Sequence, residues 1–285
     1  MRYRIVSTVA VAAALMLLPV LADSSFGQRR GTPQQPSGPT PRWPDGTVNW
    51  GPRIGEKGLW NVAGGVFADP DPLPGARPLD PQDTFPGKPT LSQVPFQTWA
   101  RAIYDYRQTN QLEPYTRCKP SGAFRQVATA YGTQFVHFPE LQQFIIFQTG
   151  GSHSYRTIYM DGRSHPKDLA PSYYGHSIGH FEGDTLVVDT VGYNERMWVS
   201  NLEGMPHSDK LHTIERFTRT DSNTIKYDMT IDDPGTYTAT WNTGWWIRFN
   251  PGVESFEFIC QDNNKAGEMM VGTMGEVDRS SPFVP

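Results

Sequence analysis

From Phe144 onward the chain falls into short apolar runs that come in pairs, each pair split by turn residues. Phe144–Gln148 and Ser154–Met160 flank Thr149-Gly150-Gly151-Ser152. His176–Phe181 and Thr185–Val191 flank Glu182-Gly183-Asp184, and Leu211–Thr218 and Thr224–Ile231 flank Thr220-Asp221-Ser222-Asn223. Trp245–Phe249 and Ser255–Cys260 read as a last pair. Each pair has the signature of a β-hairpin. Within Thr224–Ile231 the alternation is unbroken: Ile225, Tyr227, Met229 and Ile231 take one side, Thr224, Lys226, Asp228 and Thr230 the other. That is an antiparallel strand with one dry face. Consecutive hairpins with little helix predict a mainly β fold, an antiparallel up-and-down barrel of calycin type or a strongly curved sheet. No internal repeat is visible.

One helix stands out, about Ser92 to Asn110. Trp99, Ile103 and Tyr106 form a stripe at helical spacing, Ser92 is a candidate cap, and Pro95 is tolerated in the first turn. Its expected role is to cover one side of the sheet. Upstream, 14 of the 25 prolines fall between Pro33 and Pro95. Proline fixes φ and donates no hydrogen bond, so long helices and inner strands are not expected there. Residues 28–44 read as a flexible linker and 45–90 as an extended arm pinned on the barrel by Trp50, Leu59, Trp60, Val62 and Phe67. Residues 91–285 are then the helix plus β-barrel domain.

Residues 1–27 read as a signal peptide. Arg2 and Arg4 precede an apolar run from Ile5 to Leu18, and Val20-Leu21-Ala22 offers a cleavage site. That run is short for a membrane span, so a periplasmic or secreted protein without an integral membrane segment is expected. A net charge of −4 argues against nucleic acid as a partner. The two cysteines, Cys118 and Cys260, suggest one disulfide in an exported chain; two buried thiols are the alternative.

The run Gly175-His176-Ser177-Ile178-Gly179-His180-Phe181-Glu182-Gly183-Asp184-Thr185-Leu186-Val187-Val188-Asp189-Thr190 carries a resemblance, together with Pro206-His207-Ser208 and Leu211-His212-Thr213-Ile214-Glu215-Arg216-Phe217. It resembles a family of exported proteins of environmental bacteria that carries no assigned activity. Tyr159-Met160-Asp161-Gly162-Arg163 and His165-Pro166 fit the same pattern, as do the surroundings of both cysteines. The resemblance spans roughly residues 95–265 and implies export and the disulfide, but no reaction. The family has an arginine or similar residue in place of His180, which lowers the weight of that histidine. The likeness to lipocalins is architectural analogy alone.

Six of the seven histidines lie between His153 and His212. Imidazole can move protons or ligate metal near neutral pH. His176 and His180 do not make a metal pair on a strand: four residues span about 13 Å, against metal–nitrogen bonds of about 2.1 Å. On one strand His212 and Glu215 face opposite ways. His207 sits in a loop. Asp161-Gly162-Arg163 is a tight turn or supplies an orienting carboxylate for His165. Arg156 faces away from Tyr155 and Tyr159. Tyr173-Tyr174 and Trp198 form an aromatic wall for a flat ligand or are core packing. No Gly-x-Ser-x-Gly elbow, His-Glu-x-x-His, phosphate loop or dinucleotide pattern occurs.

These residues predict a polar site in the barrel's lumen or mouth. His165, His176, His207, His212, Asp161 and Tyr159 are the candidate catalytic groups. Arg156, Tyr174, Asp189, Trp198 and Glu215 are the candidate ligand contacts. The expected chemistry is acid–base work on a small organic molecule, of lyase, isomerase or hydratase type. A single divalent metal on His176, His207 and His212 is a variant. Non-catalytic binding of an apolar or aromatic molecule is the alternative.

Overall fold

The period-two pattern of Thr224–Ile231 has its physical counterpart inside the fold: Ile225, Tyr227, Met229 and Ile231 are all fully buried. The structure, a computed structural model, describes residues 36–63, 66–68, 84–110, 114–128, 131–151, 155–200 and 204–260. The expected signal peptide, residues 1–27, and parts of the linker and arm lie outside these. The described elements are β1 (Gly58–Ala63), α1 (Thr98–Asn110), α2 (Ala123–Val127), β2 (Thr133–Phe138), β3 (Gln143–Gln148), β4 (Tyr155–Tyr159), β5 (His176–Glu182), β6 (Thr185–Val191), β7 (His212–Asp221), β8 (Thr224–Asp232) and β9 (Trp241–Pro251). The nine strands close into a barrel in chain order.

An odd number of strands cannot alternate direction all the way round a ring, so one neighbouring pair must run parallel. That pair is β4 and β5, joined only at Ile158–Ser177 and Tyr159–Ile178. All other pairs are antiparallel, including the closing pair β1–β9. The purely antiparallel expectation is corrected at this one seam. A parallel pair also needs a longer connection than a hairpin turn, and residues 160–175 supply it. Gly175 ends that connection at φ +62°, where a Cβ would sit 2.6 Å from the Val191 carbonyl oxygen. Only glycine tolerates both the conformation and the approach.

The lumen is filled. Phe217 packs on Tyr227 with ring centroids 4.7 Å apart, Tyr227 on Trp245 at 4.5 Å, and Phe135 reaches Phe217 at 5.6 Å. Trp60 adds contacts to Phe135 and Phe249. Each such ring contributes about 1.5–3 kcal/mol of burial. Toward the His212 end of β7 the interior turns polar. Arg156 Nη1 donates to Glu215 Oε1 at 3.0 Å, Nη2 to Glu215 Oε2 and to Thr190 Oγ1, and Nε to Ser177 Oγ. Tyr227 donates to Glu215 Oε1 at 2.8 Å. Arg156 thereby links β4 to β5, β6 and β7 across the weakly paired seam. Burial opposes the Arg156 charge, but the Glu215 carboxylate outweighs it and holds the guanidinium above its ordinary pKa.

Three further expectations are corrected. Within the proline-rich arm, the proline-free stretch between Pro52 and Pro70 contributes β1, a stave of the barrel. Because β1 takes the outer edge of β9, residues 255–260 have no edge to join and are not a strand. Helix α1 begins at Thr98, after a separate turn at Leu91–Gln93. Its Trp99, Ile103 and Tyr106 are exposed, whereas Ala100 and Tyr104 are buried. The bridge Phe96–Tyr237 and the Phe96–Tyr104 ring contact at 5.6 Å set that rotation. Cys118 and Cys260 form a disulfide, with Cα atoms 5.7 Å apart. Among the described residues no helix is long and apolar enough to cross a membrane.

Candidate functional site

Strand pairing sets Ser177 against Thr190 and Thr190 against Thr213, so these three buried side chains form one row on the inner face. Their strand neighbours His176, Asp189 and His212 therefore point the other way, onto the outer face of the barrel. Of the two places expected for the polar site, lumen or mouth, the lumen is packed; the histidines gather outside it, on the outer face near one end of the strands. The connection 160–175, which the parallel seam requires, lays His165 over this patch.

Four residues then meet. His165 Nε2 lies 3.2 Å from Asp189 Oδ1, and His212 Nε2 lies 2.8 Å from the same oxygen. The other nitrogen of His165, Nδ1, lies 2.8 Å from Nδ1 of His176. The Asp189 carboxyl is held below its ordinary pKa by the hydrogen bond from His212, against the cost of burial, and so accepts only. Both imidazoles must present N–H to it. With His165 and His176 neutral, His165 Nδ1 is then bare and accepts from His176 Nδ1–H. The unprotonated nitrogen emerges at Nε2 of His176. A carboxylate fixing a histidine tautomer is the logic of the Ser-His-Asp triad, here extended through a second imidazole and without the serine.

The two terminal imidazoles are pushed apart. The His212 pKa is raised by its hydrogen bond to Asp189. The His176 pKa is lowered by partial burial, then by His165 and Arg163. Neighbouring groups whose pKa values are pushed apart are suited to acid and base roles. Tyr159 stacks on His176, with centroids 5.3 Å apart and planes 21° from parallel, and Arg163 lies 4.1 Å over the Tyr159 ring. Asp161 orients Arg163 rather than His165: Nε of Arg163 donates to both carboxylate oxygens at 2.8 Å, and the Arg163 amide donates to Oδ1 at 3.2 Å. The Asp-Gly-Arg turn in the sequence held the signal for Arg163, which the sequence reading did not single out.

A cleft of about 190 Å³ opens beside His176, between β4 and the start of β5, lined also by Tyr155, Thr157, Tyr159, Tyr174 and Gly175. It exists because β4 and β5 pair only at one end. Tyr174 donates to Gln126 Oε1 at 3.2 Å, and burial raises its pKa.

The remaining candidates lie elsewhere. Arg156 and Glu215 form the sealed interior ion pair, 3% and 0% exposed. Trp198 is buried beneath the Arg107 guanidinium, 5.1 Å from its ring centroid. His207 is 4% exposed; its Nδ1 donates to the Ser208 carbonyl and its Nε2 has no partner. Among the described residues no hydrogen bond or ring contact joins it to the cluster. His180 is exposed beside Glu182, and His153 lies outside the described residues. Among the described residues no three His, Cys, Asp or Glu side chains converge on a point that could hold one metal ion. His165 spends one nitrogen on His176 and the other on Asp189.

No protein-family model, no curated protein and no solved structure matches this chain.

Proposed function

We propose that this protein is an exported enzyme that moves protons on a small organic molecule, as a lyase, isomerase or hydratase does. The observation that carries the reading is the hydrogen-bonded chain Asp189–His165–His176, which ends beside a cleft; we take Nε2 of His176 as its unprotonated end. His176 acts as the general base. A proton taken up at its Nε2 is answered by movement of the Nδ1 proton toward His165, where Asp189 stabilises the positive charge. Tyr159 donates its hydroxyl proton in a hydrogen bond to the oxyanion that develops on the substrate. Export is supported by the signal-like N-terminus and the disulfide.

The test is a panel of small ketones, hydroxy acids and unsaturated acids, incubated in D₂O and followed by proton NMR. Exchange or turnover with at least one class, lost by about 100-fold or more in His176→Asn, is the expected result. Equal behaviour of wild type and variant across the panel contradicts the reading. Binding without turnover is the second reading. It draws on the three tyrosines lining the cleft, and predicts saturable binding that survives His176→Asn.

A further inference from the structure

The cleft beside His176 restricts what that base can be offered. This inference rests on the acid–base reading above and narrows it to one substrate class. Three tyrosines line the cleft, and their rings give it apolar walls. At about 190 Å³ the space is smaller than a drug-sized pocket, which starts at about 300 Å³. Among the described residues lining the cleft, the one ionic group besides His176 is Arg156, and that guanidinium is turned inward onto Glu215, Ser177 and Thr190. A charged substrate would therefore lose hydration against that lining without gaining a counter-charge from it, and the nearby Arg163 guanidinium over the Tyr159 ring is already held by Asp161. Ser177 Oγ is buried and engaged by Arg156 and Thr190, so it is no nucleophile. Both cysteines are in the disulfide.

We infer that the cleft takes an uncharged, single-ring carbonyl compound and enolises it. The α C–H bond breaks and its proton passes to Nε2 of His176. The electron pair moves onto the carbonyl oxygen, which accepts a hydrogen bond from the Tyr159 hydroxyl. Return of the proton to the same carbon gives exchange, and return to a conjugated carbon gives isomerisation. Nothing is oxidised or reduced, and no co-reactant is consumed.

The test is α-proton exchange of cyclohexanone in D₂O near neutral pH, catalysed by the full chain and followed by proton NMR. Wild type is expected to accelerate exchange by about 100-fold over buffer, with His176→Asn abolishing the gain and Tyr159→Phe removing about 10-fold of it. Two probes set the limits of the class. 4-Oxocyclohexanecarboxylate should exchange at least about 10-fold more slowly than cyclohexanone because of its charge, and a decalone similarly because of its size, with Tyr174→Ala restoring the decalone. No acceleration of cyclohexanone by folded wild type overturns the inference, as does faster exchange of the carboxylate. If another compound class is turned over in a His176-dependent way while cyclohexanone is not, the substrate class falls and the acid–base reading stands. If no compound depends on His176, both fall.

Discussion

Asp189 and His212 lie diagonally across the β6–β7 ladder, joined by a hydrogen bond of 2.8 Å from His212 Nε2 to Asp189 Oδ1. That contact raises the His212 pKa above its ordinary value. The folded state therefore binds a proton that the unfolded state, with a pKa of about 6.5, releases. The stability due to this pair is fully present below about pH 6.5 and is lost as pH rises through the folded pKa. In Asp189→Asn, NMR titration should show the His212 pKa falling back toward about 6.5. An unchanged His212 titration would refute the pairing.

His207 behaves in the opposite sense. Burial lowers its pKa. Its contribution is present above about pH 6.5 and is lost as pH falls through the folded value, since the unfolded chain then binds the extra proton. Urea midpoints should drop on acidification, and the drop should be smaller in His207→Phe. A variant as acid-sensitive as wild type would show that other groups control the acid limb.

The ion pair of Arg156 and Glu215 is sealed inside the barrel, so removing one partner strands a charge. Arg156→Met alone should cost about 3–5 kcal/mol in equilibrium denaturation, and so should Glu215→Leu alone. The double variant should cost well below the sum, because neither charge is left behind. Additive losses would show that the two groups do not act as a pair.

Much of this fold could be read from residue order. The hairpins β3–β4, β5–β6 and β7–β8 follow from alternation and turn residues, which are local properties. The strand β1 was hidden because proline density on both sides of it masked a short proline-free window. The parallel seam between β4 and β5 was hidden for another reason: it follows from the parity of nine strands, and no single segment encodes the count. The site divides in the same way. His165, His176, Asp189 and His212 were legible as candidates, because imidazoles and a carboxylate on neighbouring strands are chemically conspicuous. Their position outside the lumen was not, since alternation assigns residues to two faces without saying which is wet. His207 was drawn in by residue type and by its place in a loop, but that loop buries it.

The exposed face of α1 records a related limit. Trp99, Ile103 and Tyr106 have core-like character and helical spacing, yet the tertiary contacts of Phe96 and Tyr104 turn the opposite face inward. Periodicity predicts a stripe, and only packing decides which stripe is buried.

The most direct test is the tautomeric state of the two hydrogen-bonded imidazoles, His165 and His176. Nitrogen-15 NMR of imidazole-labelled protein, recorded above the His176 pKa, reads out which ring nitrogen carries the proton. His165 is expected to be protonated at Nε2 and His176 at Nδ1, with the His176 pattern shifting when Asp189 is replaced by Asn. A His176 ring protonated at Nε2, or one indifferent to Asp189→Asn, would contradict the proposed role of His176.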